Sequence, residues 1–134
     1  MVLRQFCYQS TARHVLGPDE LGAIMLRSRR SNRLLGVTGL LLFDGRRFLQ
    51  ALEGEPAAVE STWRRIRADE RHHRLEVIAD DPLDGDLREF GGWSMALLRL
   101  DGTGYTRLVP PLVAGVRRPL LRNQFELFAG LEPA

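Results

Sequence analysis

The stretch Gly36–Gly54, "GVTGLLLFDGRRFLQALEG", decides the fold. Two apolar runs flank Asp44-Gly45, a dipeptide whose tolerance of positive φ suits the tight turn of a β-hairpin. The second run then reads as a strand. Alternation along it puts Phe48, Gln50 and Leu52 on one face and Leu49, Ala51 and Glu53 on the other. Gln50 thus shares a face with two large apolar neighbours. A buried amide left without partners costs about 1–3 kcal/mol, so a hydrogen-bonding group is expected beside it.

Outward from the hairpin, "LRQFCYQS" suits a first strand, and "GPDELGAIMLRSRRSN" opens as a helix should. Pro18 stands in its first turn, and Asp19 and Glu20 complement the positive N-terminal end. Leu21, Met25, Ser28 and Asn32 follow at spacings of 4, 3 and 4 and form one stripe, apolar at its start and polar at its end. A second helix is predicted from about Pro56 to Glu70, with Val59, Trp63 and Ile66 as its core stripe. Strands are predicted at "RLEVIA" and "WSMALLRL". The order β-α-β-β-α-β with an added fifth strand is that of a ferredoxin-like α+β sandwich whose mixed sheet carries two helices on one face. The tail differs in character. After the Pro110-Pro111 step, "PLLRNQFELFAGL" reads as an amphipathic helix with Leu121, Phe125 and Phe128 on its apolar side, expected on the sheet face left open by the first two helices.

At 134 residues the chain is about one domain. No apolar run reaches the roughly 20 residues of a membrane span, and the N-terminus lacks the long apolar stretch of a signal peptide, so a cytoplasmic protein without membrane association is expected. The single cysteine, Cys7, excludes an internal disulfide and a cysteine-clustered metal site, and its apolar setting suits an inert core thiol. All 19 basic residues are arginine. The absence of lysine removes Schiff-base chemistry and the P-loop lysine. It also accounts for a pI near 9.3 beside a net charge of only +2, which makes the basic pI weak evidence for nucleic acid. The arginine clusters at 27–30 and 64–67 lie on predicted helices, where a solvated face is the ordinary reading.

Catalytic motifs are largely absent. His14, His72 and His73 have no metal-ligand spacing on a helix, and no metal site is expected. His72 and His73 follow the second helix, where they suit the negative end of its dipole. Asp84 and Asp86 read as a solvated acidic loop. What remains is polar residues set beside apolar stripes. Tyr8 follows Phe6 at the strand spacing, so its phenol points inward and wants a partner, and Gln50 on a neighbouring strand is a candidate. Arg65 and Asp69 are one helical turn apart, with the acid C-terminal to the base.

Five segments together resemble the BLUF family, blue-light sensors that use flavin: "FCYQS" with Tyr8, "SNRLLGVTGLLLF" with Asn32, "GRRFLQALEG" with Gln50, "RRIRADERHH" with Arg65 and Asp69, and "WSM" with Trp93 and Met95. The resemblance runs from residue 2 to about 100. It implies a flavin-binding domain over residues 1–100 and a C-terminal helical extension over 101–134 that carries output or self-association. It implies no enzymatic turnover, FAD as cofactor with FMN or riboflavin as alternatives, and a binding set of Tyr8, Ser28, Asn32, Gln50, Arg65, Asp69 and His72. In that family Asn32 pairs with the polar pyrimidine edge of the ring, and Arg65, steadied by Asp69, approaches its O2 side. Ser31 departs from the family pattern, which often has Asn or His there. The implied mechanism is transfer of an electron and a proton from Tyr8 to the excited flavin, followed by a reoriented or tautomerised Gln50. Trp93 and Met95, two apart on the last strand, are the implied relay, although both equally suit ordinary core.

Two other classes share the topology. A nucleic-acid-binding module without flavin would need a pair of aromatic stacking positions on its sheet, and an acylphosphatase-like enzyme would need a Gly-rich phosphate loop; neither is evident. The expected partners are flavin, a second copy of the chain meeting it through the stripe Leu121, Phe125 and Phe128, and a separate downstream protein, with Pro110-Pro111 as a stiff hinge.

Overall fold

The computed structural model describes residues 2–83, 88–90, 109 and 113–130, and the backbone of 96–99. Strand β1 (Arg4–Ala12) leads to helix α1 (Pro18–Leu35), the hairpin β2 (Thr38–Phe43) and β3 (Arg47–Gly54), helix α2 (Pro56–Ala68), β4 (His72–Pro82), β5 (Ala96–Arg99) and helix α3 (Pro119–Phe128). Trp93, Met95, Asp84, Asp86 and the Pro110-Pro111 step lie outside the described residues.

The five strands lie in the order β4-β1-β3-β2-β5. β1 pairs antiparallel with both β3 and β4, β2 antiparallel with β3, and β2 parallel with β5. This is the expected ferredoxin-like arrangement with a fifth strand added beside β2.

Alternation divides the core as the hairpin reading requires. On one face Phe6, Tyr8, Leu41, Phe43, Phe48 and Leu52 meet Leu21 and Met25 of α1 and Val59 and Trp63 of α2. On the other face Cys7, Leu40, Leu42, Leu49 and Ala51 meet Phe90, Val113, Val116 and the apolar side of α3. Burial of Cys7 pushes its thiol up to about 12, which suits an inert core residue. Helix α1 starts at Pro18 and closes at Gly36, whose φ of 70° is the left-handed conformation that ends helices.

Three expectations change in the structure. The hairpin turn centres on Gly45-Arg46, one residue later than Asp44-Gly45. Gly45 has φ 96°, and the Asp44 carboxylate accepts from the backbone N–H groups of Arg46 (2.9 Å) and Arg47 (2.6 Å), so Asp44 caps the turn from its flank. Helix α2 ends at Ala68, and Asp69 is its extended C-cap with ψ 120°. Finally, Leu121, Phe125 and Phe128 are 0%, 0% and 8% exposed, packed within the chain. That stripe covers the sheet, so it does not supply the self-association surface expected of it.

Candidate functional site

The site grows from the pairing of β1 with β3. Tyr8 lies directly opposite Gln50 in the antiparallel register, so two side chains of one face are set side by side. The Tyr8 hydroxyl donates to Gln50 Oε1, with both groups buried. Gln50 thus acquires the partner that its position among apolar neighbours demanded. Burial, reinforced by the Asp69 charge, pushes the Tyr8 phenol above its ordinary range and keeps its proton in place. Trp63 of α2 packs on Tyr8 with ring centroids 5.1 Å apart, fixing the phenol from the helix side.

The opposite flank of β1 is irregular. Between Gln9 and Thr11, the single residue Ser10 faces two on β4, Arg74 and Leu75, and Arg74 has a positive φ of 54°. A further shift falls between Cys7 and Tyr8. The Ser10 bulge leaves His72, opposite Ala12, on the same face as Leu75, three positions on. His72 Nε2 lies 2.6 Å from the Ile66 carbonyl and Nδ1 lies 2.8 Å from Ser10 Oγ. A carbonyl only accepts, so Nε2 carries the hydrogen and, in the neutral ring, Nδ1 accepts from the serine hydroxyl. The histidine therefore ties the C-terminal end of α2 to β1 and β4, and its ring stands edge-on to Tyr8 at 6.3 Å.

The expected Arg65–Asp69 pair is replaced by another. Asp69 Oδ1 accepts from the Arg71 backbone N–H and Nε, each at 2.9 Å, and Oδ2 accepts from Arg71 Nη2 at 2.6 Å. The physical reason is the end of α2 at Ala68: an i,i+4 pair needs both residues on the helix, and the extended backbone at Asp69 turns its carboxylate toward the start of β4 instead. Arg71 holds Asp69 below its usual carboxylate range. Burial, and then Arg27 on α1, pull the Arg65 guanidinium below its usual range.

These residues line an open cleft between α1, α2 and the sheet, of about 600 Å³ with its solvent-facing mouth included. Tyr8 and Gln50 are on its floor, with Ser28 from α1, Arg65 from α2, and Asp69 and His72 from the α2–β4 junction. Six of the seven expected binding residues are therefore gathered in one place. The seventh, Asn32, is buried one turn beyond Ser28 on the same stripe but is not among the lining residues. Ile24, Leu41, Phe48, Ile66 and Arg71 line the cleft without having been anticipated. Phe48 and Ile66 were legible as apolar positions only and Leu41 as part of an apolar run, Ile24 lay outside the stripe read for α1, and Arg71 required knowing where α2 stops.

The donor set fits a flavin. Flat apolar ring faces match Ile24, Ile66, Leu41 and Phe48, while amide and hydroxyl groups and two guanidinium groups offer hydrogen bonds to an edge rich in carbonyls and N–H. Among the described residues no cluster of His, Cys, Asp or Glu could hold a metal ion.

Comparison with known proteins agrees. A family model described as BLUF, sensors of blue-light using FAD, matches residues 3–96. The photoactivated adenylate cyclase subunit beta of Euglena longa is 32% identical over 101 residues, covering 74% of this chain and 12% of that protein. The blue light- and temperature-regulated antirepressor BluF of Escherichia coli K12 is 32% identical over 100 residues, covering 74% of this chain and 24% of that protein. The chain thus spans about an eighth of the length of the cyclase subunit and about a quarter of the antirepressor. Among solved structures, BlrB, a BLUF protein in its dark state, superposes with a TM-score of 0.76 at 28% identity, covering 96% of each chain. BlrP1 of Klebsiella pneumoniae in its calcium and cy-diGMP complex does so at 0.77 and 30% identity, covering 96% of this chain and 33% of that one. The matched span contains Tyr8, Gln50 and every other residue placed in the cleft, and the chain belongs to the BLUF family of blue-light sensors using FAD.

Proposed function

We propose that Tyr8 and Gln50 are the light switch of this sensor, with the flavin ring held in the cleft by Gln50, Ser28, Arg65 and His72, and with Asn32 closing its inner end. The observation that carries this reading is the buried hydrogen bond from Tyr8 to Gln50 Oε1 on the cleft floor. When bound, the flavin supplies the absorption of blue light and a strongly oxidising excited state. Tyr8 is suited to respond because its phenol keeps its proton and has one acceptor for it. A phenol that loses an electron becomes a strong acid, so the proton at Tyr8 Oη moves toward Gln50 Oε1. Once the electron and the proton return, the amide of Gln50 has been turned or tautomerised, exchanging donor for acceptor at the cleft. Arg71 holds Asp69, and His72 with Ser10 holds the end of α2, so the walls stay fixed while the amide moves.

Residues 1–100 form the flavin domain in this proposal, and 101–134 pass the signal to a downstream protein. The names of relatives point to nucleotide chemistry at the end of such a path: one is a cyclase subunit, and another was solved with cy-diGMP. Gln50→Leu is expected to keep its flavin and lose the light-induced red shift, because bulk is retained and the switching amide removed. Asn32→Ala is expected to retain less flavin than Ser31→Ala after gel filtration, because Asn32 is buried and Ser31 is only half-buried. Equal retention by the two variants would remove Asn32 from the binding set, and a normal red shift in Gln50→Leu would remove the switch.

A further inference from the structure

We propose that Glu53 is a clasp through which the flavin-bearing strand β3 holds helix α3 on the far face of the sheet. Gln50 and Glu53 stand three residues apart on β3 and therefore on opposite faces, one toward the cleft and one toward α3. Glu53 is fully buried. Its Oε1 accepts from the Phe90 backbone N–H at 2.7 Å, and its Oε2 accepts from Gln5 Nε2 at 2.7 Å and from the Glu89 N–H at 3.1 Å. Arg88 Nη1 donates to the Glu53 carbonyl at 2.9 Å and to Thr38 Oγ1 at 2.9 Å, so the segment 88–90 is fastened by three hydrogen bonds to Glu53 of β3 and by one to Thr38 of β2.

Two polar routes then reach the start of α3. Gln5 Oε1 accepts from Arg118 Nη1 at 3.0 Å, and Arg118 Nη2 donates to Asp81 Oδ2 at 2.9 Å. Arg118 is the N-cap residue of α3. By the other route, Glu89 Oε2 accepts from the Arg117 N–H at 3.0 Å. An apolar contact completes the grip, because the ring of Phe90, whose backbone Glu53 holds, packs on Phe125 of α3 at 5.5 Å. A buried charge is a poor way to gain stability, since apolar residues of similar volume often do as well. What this carboxylate supplies is position: three donors converge on it from β1 and from 88–90, fixing where α3 begins. Neither Glu53 nor Arg118 touches the cleft, so the clasp is separate from the switch. Its coupling to light rests on the role proposed for Gln50, since a displacement of β3 at Gln50 is carried along the same strand to Glu53.

The test uses the full chain loaded with FAD and compares wild type, Glu53→Gln and Arg118→Gln. Amide hydrogen exchange is followed over 119–128 in the dark and under blue light, with the flavin red shift recorded on the same samples. Glu53→Gln places an N–H₂ where a carboxylate oxygen accepted, and dark protection of α3 is expected to fall about 10-fold or more while flavin retention and the red shift stay as in wild type. Arg118 is part-exposed and lies outside the sheet, so Arg118→Gln keeps the fold and is expected to lower protection in the same direction by less. Unchanged α3 protection in both variants overturns the clasp. In wild type, blue light is expected to lower α3 protection, and in both variants that light-dark difference is expected to vanish. A full red shift with no change over 119–128 in wild type overturns the coupling. Absence of a red shift in wild type instead overturns the Tyr8–Gln50 reading, and the dark comparison then still decides the clasp.

Discussion

A Tyr8→Phe chain is expected to take up flavin as the wild type does and to show no red-shifted state under blue light. The substitution removes one oxygen and leaves the ring that Phe6 and Trp63 pack against, at centroid separations of 6.4 and 5.1 Å. Its cost to folding is about that of one buried hydrogen bond, near 1 kcal/mol. Its cost to signalling is expected to be complete, because the proposed switch needs the phenol that donates to Gln50 Oε1. Absorption spectra before and after illumination check this directly. A normal red shift in Tyr8→Phe would show that another residue reduces the flavin.

The second large effect lies on the opposite face of the sheet. Phe125→Ala is expected to lose about 3–5 kcal/mol of stability in urea denaturation, the range for emptying a fully buried aromatic site. Phe125 is fully buried among Phe90, Leu121 and the outer residues of β2 and β3. Flavin titration of the same variant, under conditions where it remains folded, is expected to match wild type, because the cleft is built on the other face. A loss below about 1 kcal/mol would mean that α3 covers the sheet without belonging to its core.

Much of this organisation was legible in the residues themselves. The alternation from Phe48 to Glu53 assigned both faces of β3, and the spacing of Phe6 and Tyr8 placed the phenol on the face of Gln50. Their direct opposition follows from the register of β1 against β3, a pairing of strands separated by α1 and β2 that no local turn sets. Other features required distances that no local pattern encodes. Whether α2 ends at Ala68 or Glu70 decides if Asp69 meets Arg65 or Arg71, and helix ends are the least defined points of a sequence reading. The bulge that faces Ser10 has Arg74, not glycine, at positive φ, so nothing in the sequence marks it. The stripe Leu121, Phe125 and Phe128 looks the same whether it covers its own sheet or a second chain, and only its burial distinguishes the two. Glu53 was placed on the far face by alternation, but Arg118 reaches the clasp through Gln5 from 113 residues along the chain.

The electrostatics of the cleft support a switch that works by hydrogen bonding. Burial holds the Tyr8 proton in place, Asp69 is satisfied by Arg71, and His72 is satisfied at both ring nitrogens. The walls therefore have little freedom to rearrange. Gln50 differs in kind, because an amide can exchange donor and acceptor without moving its backbone.

The measurement that tests the central claim most directly is the blue-light-minus-dark absorption spectrum of the wild-type chain loaded with FAD. A red shift of the flavin band is expected that forms on illumination, keeps the band's intensity and reverses fully in the dark. Retained flavin with no shift, or bleaching that does not recover, would contradict a switch built on Tyr8 and Gln50.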